Sequence, residues 1–403
     1  GPDDSAVAEA LAVTGDRITA VGKTADLSAL AGPKTNIIDL NGKALLPGFI
    51  DAHGHFPSSG LIEKHFVDLN SPPIGNIITI DEMITALAAK AANTPAGEWI
   101  QGRGYDDTLI TEMRHPTRWD LDKVSTEHPI YIGHISGHLS VANSLALEMA
   151  EITRDTPQPF GGKIRMDEET GEPNGVLEEP PAMGRVGTLL PQFSEEDMIN
   201  AIAAAAAGYA AVGVTTAQQG ATGPNGAAVF VKAYQQGVLP IRVHVWPVLQ
   251  AMVALIENGG TLEQPDANGM VTFRAVKGFA DGSIQGYTGY LSQPYHSHSH
   301  NDPRYRGYPR MDREALAKQI ATVHKAGYQI AIHGNGDAAI DDVLYAFDRA
   351  LDADPRNDAR HIVIHAQMAR EDQLDRMAAA GIIPSFFNLH TYYWGDRHWD
   401  IFM

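Results

Sequence analysis

Two histidines separated by a single glycine, His53-Gly54-His55, close an apolar run that begins at Ala44. If residues 44–50 form a β-strand, side chains at i and i+2 leave it on the same side. Both imidazoles then reach one point just beyond the strand's end, and neutral imidazole is a common ligand for zinc and related divalent ions. Gly54 puts no side chain in the way. A bare His-x-His pair also fits polar loop residues, so the neighbouring pattern matters. Three later apolar runs end in His or Lys: Val271 to Lys277, Tyr328 to His333, and His361 to His365. A lysine closing such a run is costly to bury as an ammonium, so Lys277 must snorkel, pair with Asp281, or serve some other purpose.

These residues need strands to position them. Ala8 to Val13 and Ile18 to Val21 flank Thr14-Gly15-Asp16-Arg17 and predict a hairpin. Asn36 to Leu40 and Ala44 onward flank Asn41-Gly42-Lys43, where Asn-Gly favours a type I′ turn. The next stretch predicts a helix at 81–93, strands at 99–102 and 129–135, and a helix near 141–150. Thr156 to Gly175 is rich in Pro and Gly and reads as loops and hairpins. From about Ser194 helices and strands alternate, with strands at 214–218, 241–248, 271–277, 328–333, 361–365 and 382–387. That alternation predicts a parallel sheet.

The 403 residues include 44% hydrophobic and 20% charged residues, ordinary for a globular protein. A net charge of −19 argues against nucleic acid or an anionic membrane as partner. With no cysteine, any metal must sit on His, carboxylate or an altered lysine. The chain opens at Gly1-Pro2-Asp3-Asp4 without a visible signal peptide. A cytoplasmic location is expected, and export stays open because the sequence need not include the natural start.

The run into His53-Gly54-His55 resembles the first strand of the amidohydrolase superfamily. Gly278-Phe279-Ala280-Asp281-Gly282-Ser283, His333-Gly334-Asn335-Gly336-Asp337 and His361-Ile362-Val363-Ile364-His365-Ala366-Gln367 look like its family 3 branch, which includes YtcJ-like proteins and N-substituted formamide deformylases. His138-Leu139-Ser140-Val141-Ala142-Asn143-Ser144 resembles that branch's insertion motif. The resemblance implies an α/β fold: a (β/α)8 TIM barrel of the metal-dependent hydrolase type, with a small β-sandwich domain. Residues 1–45 would belong to the sandwich and 46–403 to the barrel, with an insertion at about 57–195. Seven barrel strands fall within the sequence. The eighth, with its metal-binding and proton-shuttling aspartate, and the sandwich's return strands would lie beyond Met403. The chain as given is therefore expected to be incomplete and inactive.

In such a barrel functional residues sit at the C-terminal ends of strands. The resemblance implies His53, His55, His333 and His365 as metal ligands, with a bridging group that is either a carboxylated Lys277 or Glu179. Lys277, His333 and His365 are also the implied catalytic residues. His138, Asp281, His390 and Trp394 are candidates for substrate contact, beside Tyr392, Tyr393 and His398. The implied cofactor is one or two divalent ions, zinc first. The implied reaction is attack of activated water on an amide or formamide-like C–N bond of a small-molecule substrate. A decarboxylase or hydratase on the same scaffold, a non-catalytic relative and a homodimer stay open. Asp337 is read as an N-cap after the turn at Gly334-Asn335-Gly336. His134 and His138 lack the Glu of a helical zinc motif, and the His296-Ser297-His298-Ser299-His300 alternation reads as a loop. No nucleophile elbow, phosphate loop or dinucleotide fingerprint is present.

Overall fold

The structure, a computed structural model, describes residues 7–223, 226–265, 267–297 and 302–403. The chain divides into two compact units, 1–48 and 49–403. In the first, β1 (Ala10–Thr14) and β2 (Arg17–Gly22) pair antiparallel around the predicted turn. The second expected hairpin forms only its turn. Asn41 and Gly42 take φ of 51° and 77°, and Lys43 N–H donates to Leu40 O at 3.0 Å, but no ladder flanks them. Asn-Gly fixes the turn locally, whereas a ladder also needs facing residues that pair. The expected strand from Ala44 likewise shrinks to β3 (Phe49–Ile50), just past Pro47, which lacks a backbone N–H.

The segment after His55 builds its own sheet, from β4 (Val67–Asp68), β5 (Ile100–Tyr105), β6 (Ile130–His134), β7 (Leu139–Ala142), β8 (Lys163–Met166) and β9 (Pro173–Glu178). Their order is β4-β5-β6-β7-β9-β8. Leu69, Ile100, Ile130, Ile132, Leu139 and Val141 alternate onto one buried face under Met83 and Leu87 of the helix Ile80–Ala91. The helix expected near 141–150 starts late: residues up to Ala142 are strand, and Asn143 caps Ser144–Met149 by accepting from Ala146 N–H.

The remaining strands are β10 (Val214–Thr222), β11 (Arg242–Pro247), β12 (Val271–Phe273), β13 (Ala275–Phe279), β14 (Gln329–Gly334), β15 (Ile362–His365) and β16 (Ile383–Phe386). They run parallel in two four-stranded sheets, β12-β11-β10-β3 and β13-β14-β15-β16. The single strand expected at 271–277 is thus two. β12 pairs with β11, the chain leaves both ladders at Arg274, and β13 pairs with β14. A bridge from Val248 to Lys277 links the two sheets. The sheets do not close into a ring among the described residues, so the fold established here is mixed α/β with parallel strands in chain order.

Helices cover these strands through apolar faces. Leu316, Ile320 and Val323 of Arg313–Lys325, with Ile340, Leu344 and Phe347 of Asp337–Ala353, pack on Val276, Ile330, Ile332 and Val363. Ile202, Ala206 and Phe230 cover Ala217, Val243, Val245 and Val271. Asp337 is the first helical residue, not the cap, which is Gly336. Its carboxylate instead accepts from Ser292 N–H at 2.8 Å and from Arg370 at 2.9 Å. Among the described residues no helix is long and apolar enough to cross a membrane.

Candidate metal centre

The His-Gly-His segment is held against the end of β10. Asp51 accepts from His53 N–H at 3.1 Å and from the Tyr209 hydroxyl at 2.9 Å. Gly220 N–H donates to Gly54 O, Phe56 N–H donates to Gln218 O, and His55 bridges Gln219. A Cβ at position 54 would overlap Asp51 Oδ2, so this close approach requires glycine.

From there the imidazoles form a continuous series. Ring centres lie 5.9 Å apart for His55 and His53, 4.7 Å for His53 and His365, 4.7 Å for His365 and His333, and 5.1 Å for His333 and His138. His333 and His365 stand at neighbouring strand ends because β14 and β15 pair in register, Gly334 opposite His365. Burial, then the charge of Lys277, lowers His53 to about 3 and His55 to about 4. Burial likewise takes His333 and His365 well below the ordinary imidazole range. All four are neutral near pH 7, the form that ligates metal. His365 takes φ of 69°, and its Nδ1 is buried without a hydrogen-bond partner.

Glu179 is fully buried, also in the left-handed region at φ 60°. Both its carboxylate oxygens lie 3.0 Å from His138 Nδ1, and Arg310 Nε is 3.8 Å away. Lys277 is buried on β13, its Nζ 4.8 Å from the centre of the Phe279 ring. Burial, then the charge of Arg310, lowers it to about 7. The alternative pairing of Lys277 with Asp281 is not formed. Asp281 is buried and accepts from the backbone N–H groups of Tyr290, Asn335 and Gly336 at 2.8–3.0 Å, with His333 Nε2 at 3.4 Å. Burial raises its pKa to about 7 against the pull of those three amides. Its carboxylate faces backbone, so it ties the loops after β13 and β14 together.

Helix Leu389–Arg397 brings His390 to 5.5 Å from His365, ring to ring, and Trp394 to 6.0 Å from His390. His398 stands 6.0 Å from His390. Tyr392, Tyr393 and Trp394 line a cavity of about 210 Å³ with Ile74, Leu109 and Ile135. The same helix is fastened by Asp106, which accepts from Trp394 Nε1 at 2.9 Å and from Arg397 at 3.0 Å. Of the alternation after Tyr295, His298 and His300 lie outside the described residues.

Sequence reasoning missed a second group. The ligand atoms of Asp106, Asp107 and His134 lie within 4.8 Å of one another, all buried, and could hold a metal ion. Their lone pairs are already engaged: His134 Nε2 meets Asp107 at 3.0 Å, and Asp106 is filled by Thr108, Trp394 and Arg397. An arginine on one carboxylate opposes a cation there. The place of Asp106 and Asp107 just after β5 and of His134 at the end of β6 was the signal available in the sequence. Arg310 carried none.

The family model for the amidohydrolase family matches residues 36–401. The chain belongs to the amidohydrolase family. It is 29% identical over 383 residues to the N-substituted formamide deformylase of Arthrobacter pascens, covering 93% of this chain and 68% of that protein. It is 30% identical over 352 residues to the putative amidohydrolase YtcJ of Bacillus subtilis strain 168, covering 86% of this chain and 63% of that protein. Both belong with the family 3 branch indicated by the motifs. An uncharacterized metal-dependent hydrolase from Pyrococcus horikoshii superposes with a TM-score of 0.67 at 25% identity, covering 95% of this amidohydrolase and 72% of that chain. Its counterpart from Pyrococcus furiosus gives 0.66 at 23%, covering 95% and 74%. Membership places the chain among hydrolases acting on small molecules, with metal-dependent hydrolases as its structural neighbours.

Proposed function

We propose that this amidohydrolase cleaves an amide or formamide-like C–N bond, using one or two divalent ions held by His53, His55, His333 and His365. The reading rests on one observation: four imidazoles from three segments stand in a series with neighbouring ring centres 4.7–5.9 Å apart, and His365 Nδ1 among them is buried without a protein partner. A set of imidazoles with a carboxylate and no thiolate suits zinc. The parallel strands would belong to a (β/α)8 barrel and residues 1–45 to a β-sandwich. The likeness to an N-substituted formamide deformylase supports the choice of bond.

A divalent ion supplies a Lewis acid that polarises a carbonyl and brings the pKa of water from 15.7 towards ~7. The protein's part is positioning. Asp281 fixes the loop behind His333, and Asp51 fixes the His53 backbone. His390 and Trp394 wall the side of the site towards the helix Leu389–Arg397. Between the two bridging candidates, Glu179 is already engaged by His138 and Arg310. Lys277, lowered to about 7, offers a neutral amine. Such an amine would add to CO2 with loss of one proton, and the resulting carbamate would give Lys277 an anionic oxygen ligand for a divalent ion.

Elemental analysis tests the bridge. Lys277→Ala is expected to lose metal while Glu179→Gln keeps it, and the opposite result moves the bridge to Glu179. The full natural chain, supplied with zinc, should release amine and formate from N-substituted formamides. No release across a panel of formamides and acetamides would refute the bond assignment.

A further inference from the structure

Arg103 lies on β5, followed at once by an irregularity in the β5–β6 ladder at Gly104, whose φ is +102°. Such a bulge re-aims the neighbouring side chains. Opposite Arg103 stands Gly133, where a Cβ would be 3.7 Å from the arginine's Cγ, and a Cβ at Gly137 would be 4.0 Å from Nη2. The side chain therefore runs over two glycines toward the Gly137-His138 turn. At one end of the imidazole series, His138 carries Glu179. At the other end, His55 feels the positive charge of Arg103. The guanidinium thus stands within electrostatic reach of His55 and 4.0 Å from the place a Cβ at Gly137 would take, one residue before His138.

Arg103 makes no side-chain hydrogen bond and no ion pair among the described residues. The exposed Arg304, Arg349 and Arg360 each pair with a carboxylate. Arg310, inside the site, is turned to Glu179. The Arg103 side chain is open to solvent, yet protein surrounds it closely enough that burial lowers its pKa, with only the Tyr131 phenol opposing. Those two facts together describe a solvent-open cationic fork without a counterion among the described residues. A guanidinium binds carboxylates through two parallel hydrogen bonds.

We propose that Arg103 is a specificity-determining residue that binds a carboxylate on the substrate, so that the substrate class is C–N compounds bearing a carboxylate. This rests on the hydrolase reading above, and its test must not depend on turnover. Levulinate is the ketone isostere of N-acetylglycine and contains no C–N bond. Its neutral, size-matched counterpart is 2-hexanone. Calorimetric titration of the full natural chain, loaded with zinc, compares the two. The wild-type protein should bind levulinate about 10- to 100-fold more tightly than 2-hexanone. Arg103→Leu should bring the ratio near one, and Arg103→Lys should keep part of it. Arg103 is exposed, so both variants should fold, with circular dichroism as the check. A wild-type ratio near one, or a preference that survives in Arg103→Leu through direct carboxylate–metal contact, overturns the proposal. In parallel, turnover of N-acetylglycine and N-acetylethylamine reads the hydrolase assignment itself. Failure of both to react, with the levulinate preference intact, would reject the bond chemistry and leave the arginine's role standing.

Discussion

The histidine pair at the opposite ends of these strands gives a stability prediction independent of metal. His361 precedes β15 and is almost fully buried, stacked on Phe347 at 4.9 Å. Its Nδ1 accepts from Ile330 N–H at 3.1 Å, so the neutral ring carries its proton on Nε2. That Nε2–H meets His324 Nδ1 at 2.8 Å, and His324 in turn donates from Nε2 to Asp354 O at 2.8 Å. Every position in the relay is filled by neutral tautomers, and a proton on His361 would face an N–H donor. Burial, then the neighbouring His324 and Arg356, lowers His361 from 6.5 to about 3. A lowered histidine binds its proton more readily when unfolded. Its contribution is therefore complete above about pH 7 and is lost as pH falls from 6.5 towards 3. At about 1.4 kcal/mol per pH unit the whole effect is about 5 kcal/mol, of which about 2 kcal/mol is lost by pH 5. Urea unfolding at pH 7.5 and pH 5.0 measures it in the wild type and in His361→Asn, which keeps an acceptor for Ile330 but cannot take a charge. The wild type should lose about 2 kcal/mol more between the two pH values than the variant. Equal losses would show that His361 titrates normally in the folded protein and that the relay is misassigned.

Three further outcomes follow from the geometry. Changing both His53 and His55 to Ala should abolish stoichiometric metal in elemental analysis, and unchanged metal would remove these residues from the centre. A Cβ at Gly282 would overlap Glu179 Oε1 and Thr288 Oγ1. Gly282→Ala should therefore displace the buried Glu179 and destabilise the fold by about 1–3 kcal/mol, the cost of overpacking a filled site, and an unchanged urea midpoint would show that the neighbours give way without strain. Asp106→Asn should loosen the helix Leu389–Arg397 by about 1.5–3 kcal/mol, the worth of a hydrogen bond to a charged group. Faster amide exchange across residues 389–397 would register it, and unchanged protection would show that other contacts hold the helix.

What could be read from the sequence was what is local. His53-Gly54-His55, Lys277, His333 and His365 each follow an apolar run, and period-two geometry with strand-end placement put them near one another before any coordinates. The turn at Asn41-Gly42 was equally legible, because positive φ is a property of two residues. The ladder expected beside it was not, since pairing depends on partners elsewhere in the chain. The break at Arg274 escaped for the same reason: Val271–Phe273 and Ala275–Phe279 answer to different neighbours, β11 on one side and β14 on the other. Long-range polar contacts were out of reach altogether. Asp106 and Arg397 meet across 291 residues, and Glu179 finds Arg310 with no spacing rule to announce it. Asp281, read as a candidate substrate contact, is also placed to hold loops by three backbone amides on its carboxylate, partners no spacing rule announces.

That assignment bears on how the site keeps an unfavourable arrangement. Glu179 and His365 both sit in the left-handed region without being glycine, at a cost of about 1–3 kcal/mol each. His333 and His365 forgo hydration, and Lys277 is buried where an ammonium is disfavoured. Such features persist only if the surroundings over-determine them. On the strand side they do: Val276, Ile330, Ile332 and Val363 anchor the residues that lead to Lys277, His333 and His365 in one apolar cluster with two long helices. On the loop side the apolar packing ends, and Asp281 takes over by gathering Tyr290, Asn335 and Gly336 N–H groups onto one carboxylate. Between strand ends and loops held in this way, Nδ1 of His365 is buried without a protein partner among the rings of His53, His333 and His390.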